Sequence, residues 1–382
     1  MRVIIAPDAF TGSMSAAQAA RAVADGWRAA SPADELVLLP LSDGGPGFVA
    51  ALATGLHGRV RRIATTGPWG DAAAADLLVV DDEQGVTAYV EAAQAAGYTG
   101  GDRGAATAAS SAGVAALLQA AVSAGARRIV VGLGGSLTTD AGAGMLAALG
   151  ATARDADGAD CTALLRCGGA ALAGVATVDL APARAVLSGA ELVIAADVDN
   201  PLLGPRGAAH GFGPQKGAGP ADIDLLEQGL RGFAHACGRL ADGRSPAVVL
   251  GSGAAGGLGF ALLHLGGRIV SGIDSVLAAL AFAEQVSACD LVITGEGSFD
   301  WQSLHGKVIT GVCRSAMAHG RPVLVLAGQI AVGRREWMAI GVSGAYAILD
   351  EAASAEAVRD AVERGPELLA QLAARAARTW SR

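Results

Sequence analysis

At 382 residues the chain exceeds what one typical hydrophobic core organises, so its length predicts two domains. A composition of 52% hydrophobic and 17% charged residues is that of a compact globule and excludes a disordered chain. The net charge of -8 repels phosphate backbones, and the basic clusters Arg59, Arg61, Arg62 and Arg127, Arg128 are too small for a footprint, so nucleic acid is excluded as a main partner.

In chain order, residues 2–6 read as a first strand ending at Pro7-Asp8, and Ser15 as the N-cap of an amphipathic helix reaching about residue 30. That first apolar run is far too short for a secretory signal. A second strand over 35–39 leads to Ser42-Asp43-Gly44-Gly45 and a helix from about Gly47. Strand, acid-bearing loop and helix, twice in succession, predict a parallel α/β layer. The rhythm changes between 57 and 98, where runs at 59–64, 75–80 and 86–91 are separated by turns at Gly67-Pro68 and Asp81-Asp82-Glu83. Strands joined without helices predict an antiparallel or mixed sheet, which places a domain boundary near residue 60. Glu91 ends the third run, another acid at a strand end.

A helix over 109–124 precedes a strand at 128–133, which opens into Gly134, Gly135 and Ser136, then Thr138, Thr139, Asp140, Gly142, Gly144 and a helix to 149. Glycines before a helix start bare N–H groups beside its positive end and favour a phosphate; a plain tight turn is the competing reading, and no Walker A pattern occurs. Residues 151–190 are alanine-rich and uninformative. A strand at 191–195 ends at Asp197-Val198-Asp199-Asn200-Pro201, followed by Gly211-Phe212-Gly213-Pro214-Gln215-Lys216-Gly217, and a second glycine-rich helix start spans 251–259. After a helix over 273–282, a buried strand at 290–294 breaks into Gly295-Glu296-Gly297, with Asp300, Ser303 and Lys307 close behind. Strands at 323–326 and 345–349 and a polar-faced helix complete the chain.

No segment approaches the roughly 18 uninterrupted apolar residues of a membrane helix, so no membrane partner is expected. The five cysteines, Cys161, Cys167, Cys237, Cys289 and Cys313, are odd in number and lack CxxC spacing, which fits a reducing cytoplasm and no zinc site. Only two lysines occur, Lys216 and Lys307, both in glycine-rich loops. Arginine supplies the ordinary surface charge, so these lysines mark places that need a compact ammonium.

Asp8, Asp43, Asp140, Asp197, Glu296 and Asp300 all fall where a predicted strand gives way to a glycine-containing loop, the place where open α/β sheets bind ligands. Converging carboxylates repel unless a cation or proton joins them, and such oxygen-rich sites suit Mg²⁺. With two lysines and N–H-rich loops they suggest phosphoryl transfer, in which a carboxylate takes the proton of an attacking hydroxyl. Each aspartate also reads as an N-cap or turn former, Lys307 as a solvated first-turn residue, and His210 and His305 as loop hydrogen-bonders. Trp69 and Trp301 read equally as packing or as a nucleotide platform. Glutamate is a poor turn residue, which sets Glu296 apart.

The stretches Ala6-Pro7-Asp8-Ala9-Phe10, Ser42-Asp43-Gly44-Gly45, Gly134-Gly135-Ser136 with Thr138 and Asp140, Asp197-Val198-Asp199-Asn200-Pro201-Leu202, Phe212-Gly213-Pro214-Gln215-Lys216-Gly217 and Thr294-Gly295-Glu296-Gly297 with Asp300, Gln302, Ser303, Gly306 and Lys307 closely resemble the bacterial glycerate kinase family, in order and across nearly the whole chain. The resemblance implies ATP- and Mg²⁺-dependent phosphorylation of D-glycerate. It also implies an α/β fold in which a Rossmann-like parallel-sheet domain, 1–60 and 284–382, receives a second, mixed-sheet α/β domain, 61–283, with an active cleft between them. Glu296 and Asp300, with Asp197 or Asp8, are then expected around Mg²⁺. Lys307 and Lys216 are expected on phosphate or the substrate carboxylate, with Ser303 beside the nucleotide and the Gly134, Gly135, Ser136 loop as an anion cradle. Either Asp43 or Asp140 would orient or deprotonate the hydroxyl.

The chain departs from the family pattern at Ala9, Thr11, Pro46, Phe48, Thr139 and Ser298, and the turn at 107–113 is blurred. Those positions bear on the acceptor, leaving open a kinase of another small hydroxy acid or a non-catalytic relative that binds a nucleotide or sugar acid. The hydroxyl phosphorylated and a homo-oligomeric state are also left open.

Overall fold

The computed structural model describes residues 1–98, 100, 104–304, 306–350 and 353–381. The chain forms two compact units: Met1–Asp43, Ala50–His57 and Ile273–Arg382 make the first, and Gly44–Val49 with Gly58–Gly272 makes the second. The strands are β1 (Arg2–Ile5), β2 (Glu35–Leu38), β3 (Arg59–Thr66), β4 (Ala72–Asp82), β5 (Gly85–Glu91), β6 (Arg128–Gly132), β7 (Thr152–Arg154) and β8 (Thr177–Asp179). They continue with β9 (Glu191–Ala195), β10 (Arg268–Val270), β11 (Leu291–Thr294), β12 (Ser298–Phe299), β13 (Val323–Ala327), β14 (Gln329–Ile330) and β15 (Gly344–Ala347).

The first unit is built on a parallel sheet ordered β15-β13-β11-β1-β2. Its central strands carry unbroken apolar runs, with Val3, Ile4 and Ile5 fully buried, as expected where helices cover both faces. One face is covered by the helices Ala16–Ala30 and Gly365–Trp380. Their small residues let the backbones nearly touch: a Cβ on Gly26 would lie 1.9 Å from the Ala370 carbonyl oxygen. Ser15 and Gln18 close a reciprocal capping box at the first helix, so that expected N-cap is present.

The second unit holds a mixed sheet ordered β10-β9-β6-β5-β4-β3. β3, β4 and β5 pair antiparallel, and β5, β6, β9 and β10 pair parallel. Register sets Glu91 level with Gly132, and Gly132 level with Ala195, so three parallel strands end together.

Two expected helices differ. The one over 109–124 starts at Val114, because Ser111 gives both its N–H and its hydroxyl to Asp140 and draws the preceding turn out of the helix. The one over 273–282 is two helices, Gly272–Ala279 and Phe282–Ser287, separated by the left-handed Ala281 (φ 45°). The uninformative stretch 151–190 contains the antiparallel pair β7 and β8 and the helix Ala181–Leu187. No described helix is long and apolar enough to cross a membrane.

Candidate functional site

Within the first unit the loops after β1 and β11 are laced together beyond the strand ends. Asp8 N–H donates to the Gly295 carbonyl at 2.8 Å, and Thr294 Oγ1 donates to the Ala6 carbonyl at 2.8 Å. Gly295 is required by the fold, since a Cβ there would lie 1.8 Å from the Leu326 carbonyl oxygen. Gly297 is not: its nearest neighbours would sit at 3.4 Å, an ordinary contact.

With the loop after β2 tied in by the Leu41 N–H to the Pro7 carbonyl at 2.9 Å, Asp8, Asp43, Glu296, Asp300 and Lys307 form one electrostatically linked group. Desolvation, then repulsion from Asp43 and Glu296, pushes the Asp8 carboxyl up to about 8, against the Ala9 N–H and the Lys307 ammonium. Desolvation also pushes Glu296 up to about 7; Asp300 and Asp43 add to the rise, while the Ser303 hydroxyl and Lys307 oppose it. Glu296 Oε1 is buried without a hydrogen-bond partner.

Asp300, Gln302 and Ser303 form a pinned turn. Asp300 Oδ1 accepts the Gln302 N–H at 2.8 Å, Asp300 N–H donates to Ser303 Oγ at 3.2 Å, and Thr310 Oγ1 donates to the Ser303 carbonyl at 2.6 Å. Lys307, at the start of the helix Val308–Ala318, donates from Nζ to Gln302 Oε1 at 3.3 Å.

In the second unit Lys216 and Asp140 organise the loop after β6. Lys216 Nζ donates to the Thr138 carbonyl at 2.6 Å, Ser136 Oγ at 3.2 Å and Thr139 Oγ1 at 3.4 Å, which commits all three of its protons. Burial lowers this ammonium to about 7, with Asp140 opposing. Asp140, fully buried, accepts Ser111 N–H and Oγ at 2.8 Å, Gly142 N–H at 3.1 Å and Gly144 N–H at 3.2 Å. Burial raises its pKa and these four donors resist the rise. The helix expected directly after the glycines begins only at Ala143, with its first N–H groups turned to Asp140. Gly134 and Gly135 answer a packing need, since a Cβ would lie 2.7 Å from Gly45 Cα and 2.5 Å from Pro46 Cγ. Thr138 Oγ1 is buried and unpartnered.

Asp197 Oδ1 accepts the Ser271 hydroxyl at 2.9 Å and the Gly272 N–H at 2.8 Å. Glu91 accepts Gly47 N–H at 3.0 Å and Val49 N–H at 3.1 Å, and its burial raises its pKa. Several departures from the family pattern have structural work: Pro46 packs on Gly135, Phe48 is buried edge-on to Tyr89 with ring centres 6.2 Å apart, and Thr139 accepts from Lys216.

Thus Asp8, Asp43, Glu296, Asp300, Ser303 and Lys307 assemble in the first unit, and Ser136, Asp140 and Lys216 in the second, with Gly134 and Gly135 opening that loop. His305 lies outside the described residues. Ser111 and Glu91 both hold loops at strand ends, roles that the sequence did not assign to them. Ser111 sits in an alanine-rich run, and Glu91 was visible only as an acid at a strand end. Among the described residues no group of three His, Cys, Asp or Glu side chains is arranged to hold a metal by itself.

Parallel strands ending in a half-buried acid cluster beside a lysine are the equipment of a phosphotransferase. The family model for the glycerate kinase family matches residues 3–381, and the chain belongs to that family of phosphotransferases. Among its relatives, the glycerate kinase of Bacillus subtilis is 39% identical over 98% of this chain and 96% of that protein. The glycerate 2-kinase of Escherichia coli is 38% identical over 86% of each. A crystal structure from Salmonella typhimurium LT2, named as a glycerate kinase 2, superposes with a TM-score of 0.80 at 34% identity, covering 99% of this chain and 98% of that one.

Proposed function

We propose that this chain transfers the terminal phosphoryl group of ATP to a hydroxyl of D-glycerate, with Mg²⁺ as the metal. The observation that carries the reading is the half-buried acid cluster of Asp8, Asp43 and Glu296 beside Lys307, in which the buried Glu296 Oε1 has no partner. Mutually repelling carboxylates with an orphaned oxygen fit a cation. Mg²⁺ is ordinarily held by one or two carboxylates together with substrate phosphates and water, so a cage of three protein ligands is not required. Glu296 and Asp8 would hold it, with Asp300 beside them; Asp197 is the weaker candidate, because its Oδ1 already accepts two hydrogen bonds. When bound, the ion supplies positive charge against the phosphate oxygens.

The chain's own residues do the rest. Lys307 offsets the charge on the transferred group, held in place through Gln302. The hydroxyl proton passes to a carboxylate of the cluster, and Asp43 is assigned this over Asp140, whose carboxylate already accepts four hydrogen bonds. Lys216 acts from beneath the loop of Gly134, Gly135 and Ser136, giving it shape and positive potential; the unpartnered Thr138 hydroxyl supports an anion there. The described cysteines are all free thiols, which supports a cytoplasmic setting.

The test is ADP release coupled to a reporter, with ATP and Mg²⁺ and with D-glycerate, L-glycerate, glycolate, tartronate or no acceptor. Turnover is expected with D-glycerate alone. Glu296→Gln and Lys307→Ala should each lose about 100-fold or more in kcat while still folding. Full activity in either folded variant would overturn the assignment.

A further inference from the structure

Trp301 keeps 64% of its surface in water, whereas Trp27 is fully buried and Trp69, Trp337 and Trp380 are half-buried. Its exposure is imposed by a rigid element. The turn Trp301–Leu304 is closed by the Ser303 N–H to Asp300 carbonyl bond at 3.1 Å and the Gln302 N–H to Asp300 Oδ1 bond at 2.8 Å. Its far side is fastened by the Thr310 hydroxyl and by Lys307. The same turn carries Ser303, whose hydroxyl reaches Glu296, so the indole is anchored to the acid cluster.

A large apolar ring that a pinned turn leaves with 64% of its surface in water carries unfavourable hydration there, which a flat apolar ligand face would relieve. Glycerate has no such face, and neither do the ribose and triphosphate of ATP. The purine does, and aromatic stacking is the general means by which proteins hold a base. We infer that Trp301, presented by the Asp300–Gln302–Ser303 turn beside Glu296 and Lys307, is the stacking platform for the purine ring of the nucleotide. Trp301 thereby sets preference among nucleotides and leaves the acceptor to the carboxylates and lysine. The inference rests on the proposed ATP-dependent reaction.

Two measurements separate the failure of one from the failure of the other. The first is steady-state kinetics of wild type, Trp301→Phe and Trp301→Ala, varying ATP, CTP and D-glycerate in turn. Trp301→Ala should raise KM for ATP about ten-fold or more, with kcat and KM for glycerate held within about two-fold. Phenylalanine should restore most of the loss, and the preference for ATP over CTP should narrow in the alanine variant. An unchanged KM for ATP, or a rise in KM for glycerate instead, overturns the platform. The second is calorimetric binding of ADP and of tripolyphosphate, which has no base. ADP affinity should fall in Trp301→Ala while tripolyphosphate affinity stays the same. If no acceptor is phosphorylated, the reaction assignment fails, yet this comparison still decides the platform: a base-dependent loss upholds it, and equal ADP affinity in the two proteins overturns it.

Discussion

The acid cluster should destabilise the first unit as pH rises, and Asp8→Asn should reverse this. Asp8 shifts from its ordinary 3.8 to about 8 in the folded chain, so over that window the folded state holds a proton that the unfolded state releases. Stability from this group is therefore fully present below about pH 4 and is lost as pH rises through about 8. Roughly four pH units correspond to an upper bound of about 5–6 kcal/mol. The repulsion from Asp43 and Glu296 is shared across the cluster, so about half of that, ~3 kcal/mol, is the expected gain from a neutral amide at alkaline pH. The assay is urea unfolding with EDTA present from about pH 5 to 9, followed by fluorescence of Trp27, buried in the same unit. Wild type should lose stability toward alkaline pH, and Asp8→Asn should lose about one proton's worth less and be the more stable protein above about pH 8. Equal pH slopes, or an asparagine variant weaker at alkaline pH, would refute the reasoning. Added Mg²⁺ should flatten the wild-type slope and leave the variant largely unmoved.

Other consequences are local. Gly295→Ala should cost about 3 kcal/mol or more, because the methyl would fall 1.8 Å from the Leu326 carbonyl oxygen, whereas Gly297→Ala, with 3.4 Å of room, should melt with wild type in a calorimeter. Asp140→Ala strands four buried donors and should destabilise the second unit by about 3–5 kcal/mol, with faster amide exchange at Gly142 and Gly144; native stability in that variant would contradict the role given to Asp140.

Where local patterns governed, the sequence was readable. The run before Asp8 and the one before Gly295 are short, apolar and broken by proline or glycine, and both are buried parallel strands. The acids that follow them came together because parallel register carries both chain ends to one edge. Alanine-rich stretches were less legible. Alanine favours helix wherever the fold allows it, so propensity alone extended the helix at Val114 back over Ser111, whose partner Asp140 lies 29 residues away. The glycines at 134 and 135 carried the right signal of close approach. What approaches them among the described residues, however, is Gly45 and Pro46, a fact that no window around the loop contains. The inward aim of Lys216 was equally non-local, since its acceptors Ser136, Thr138 and Thr139 lie 77 to 80 residues away.

The topology of the first sheet also sets a timetable for the growing chain. β1 lies between β2 and β11, and the contact of Arg2 with Asp290 spans 288 residues. At about 5–20 residues per second, translation leaves β1 without its second neighbour for roughly 15 to 60 s. During that interval a hydrophobic strand edge is bare, while the second unit, all but six of whose residues run from Gly58 to Gly272, has been completely synthesised. The nascent chain should therefore engage chaperones through its first forty residues, and truncation before Leu291 should leave an aggregation-prone edge however well the second unit folds.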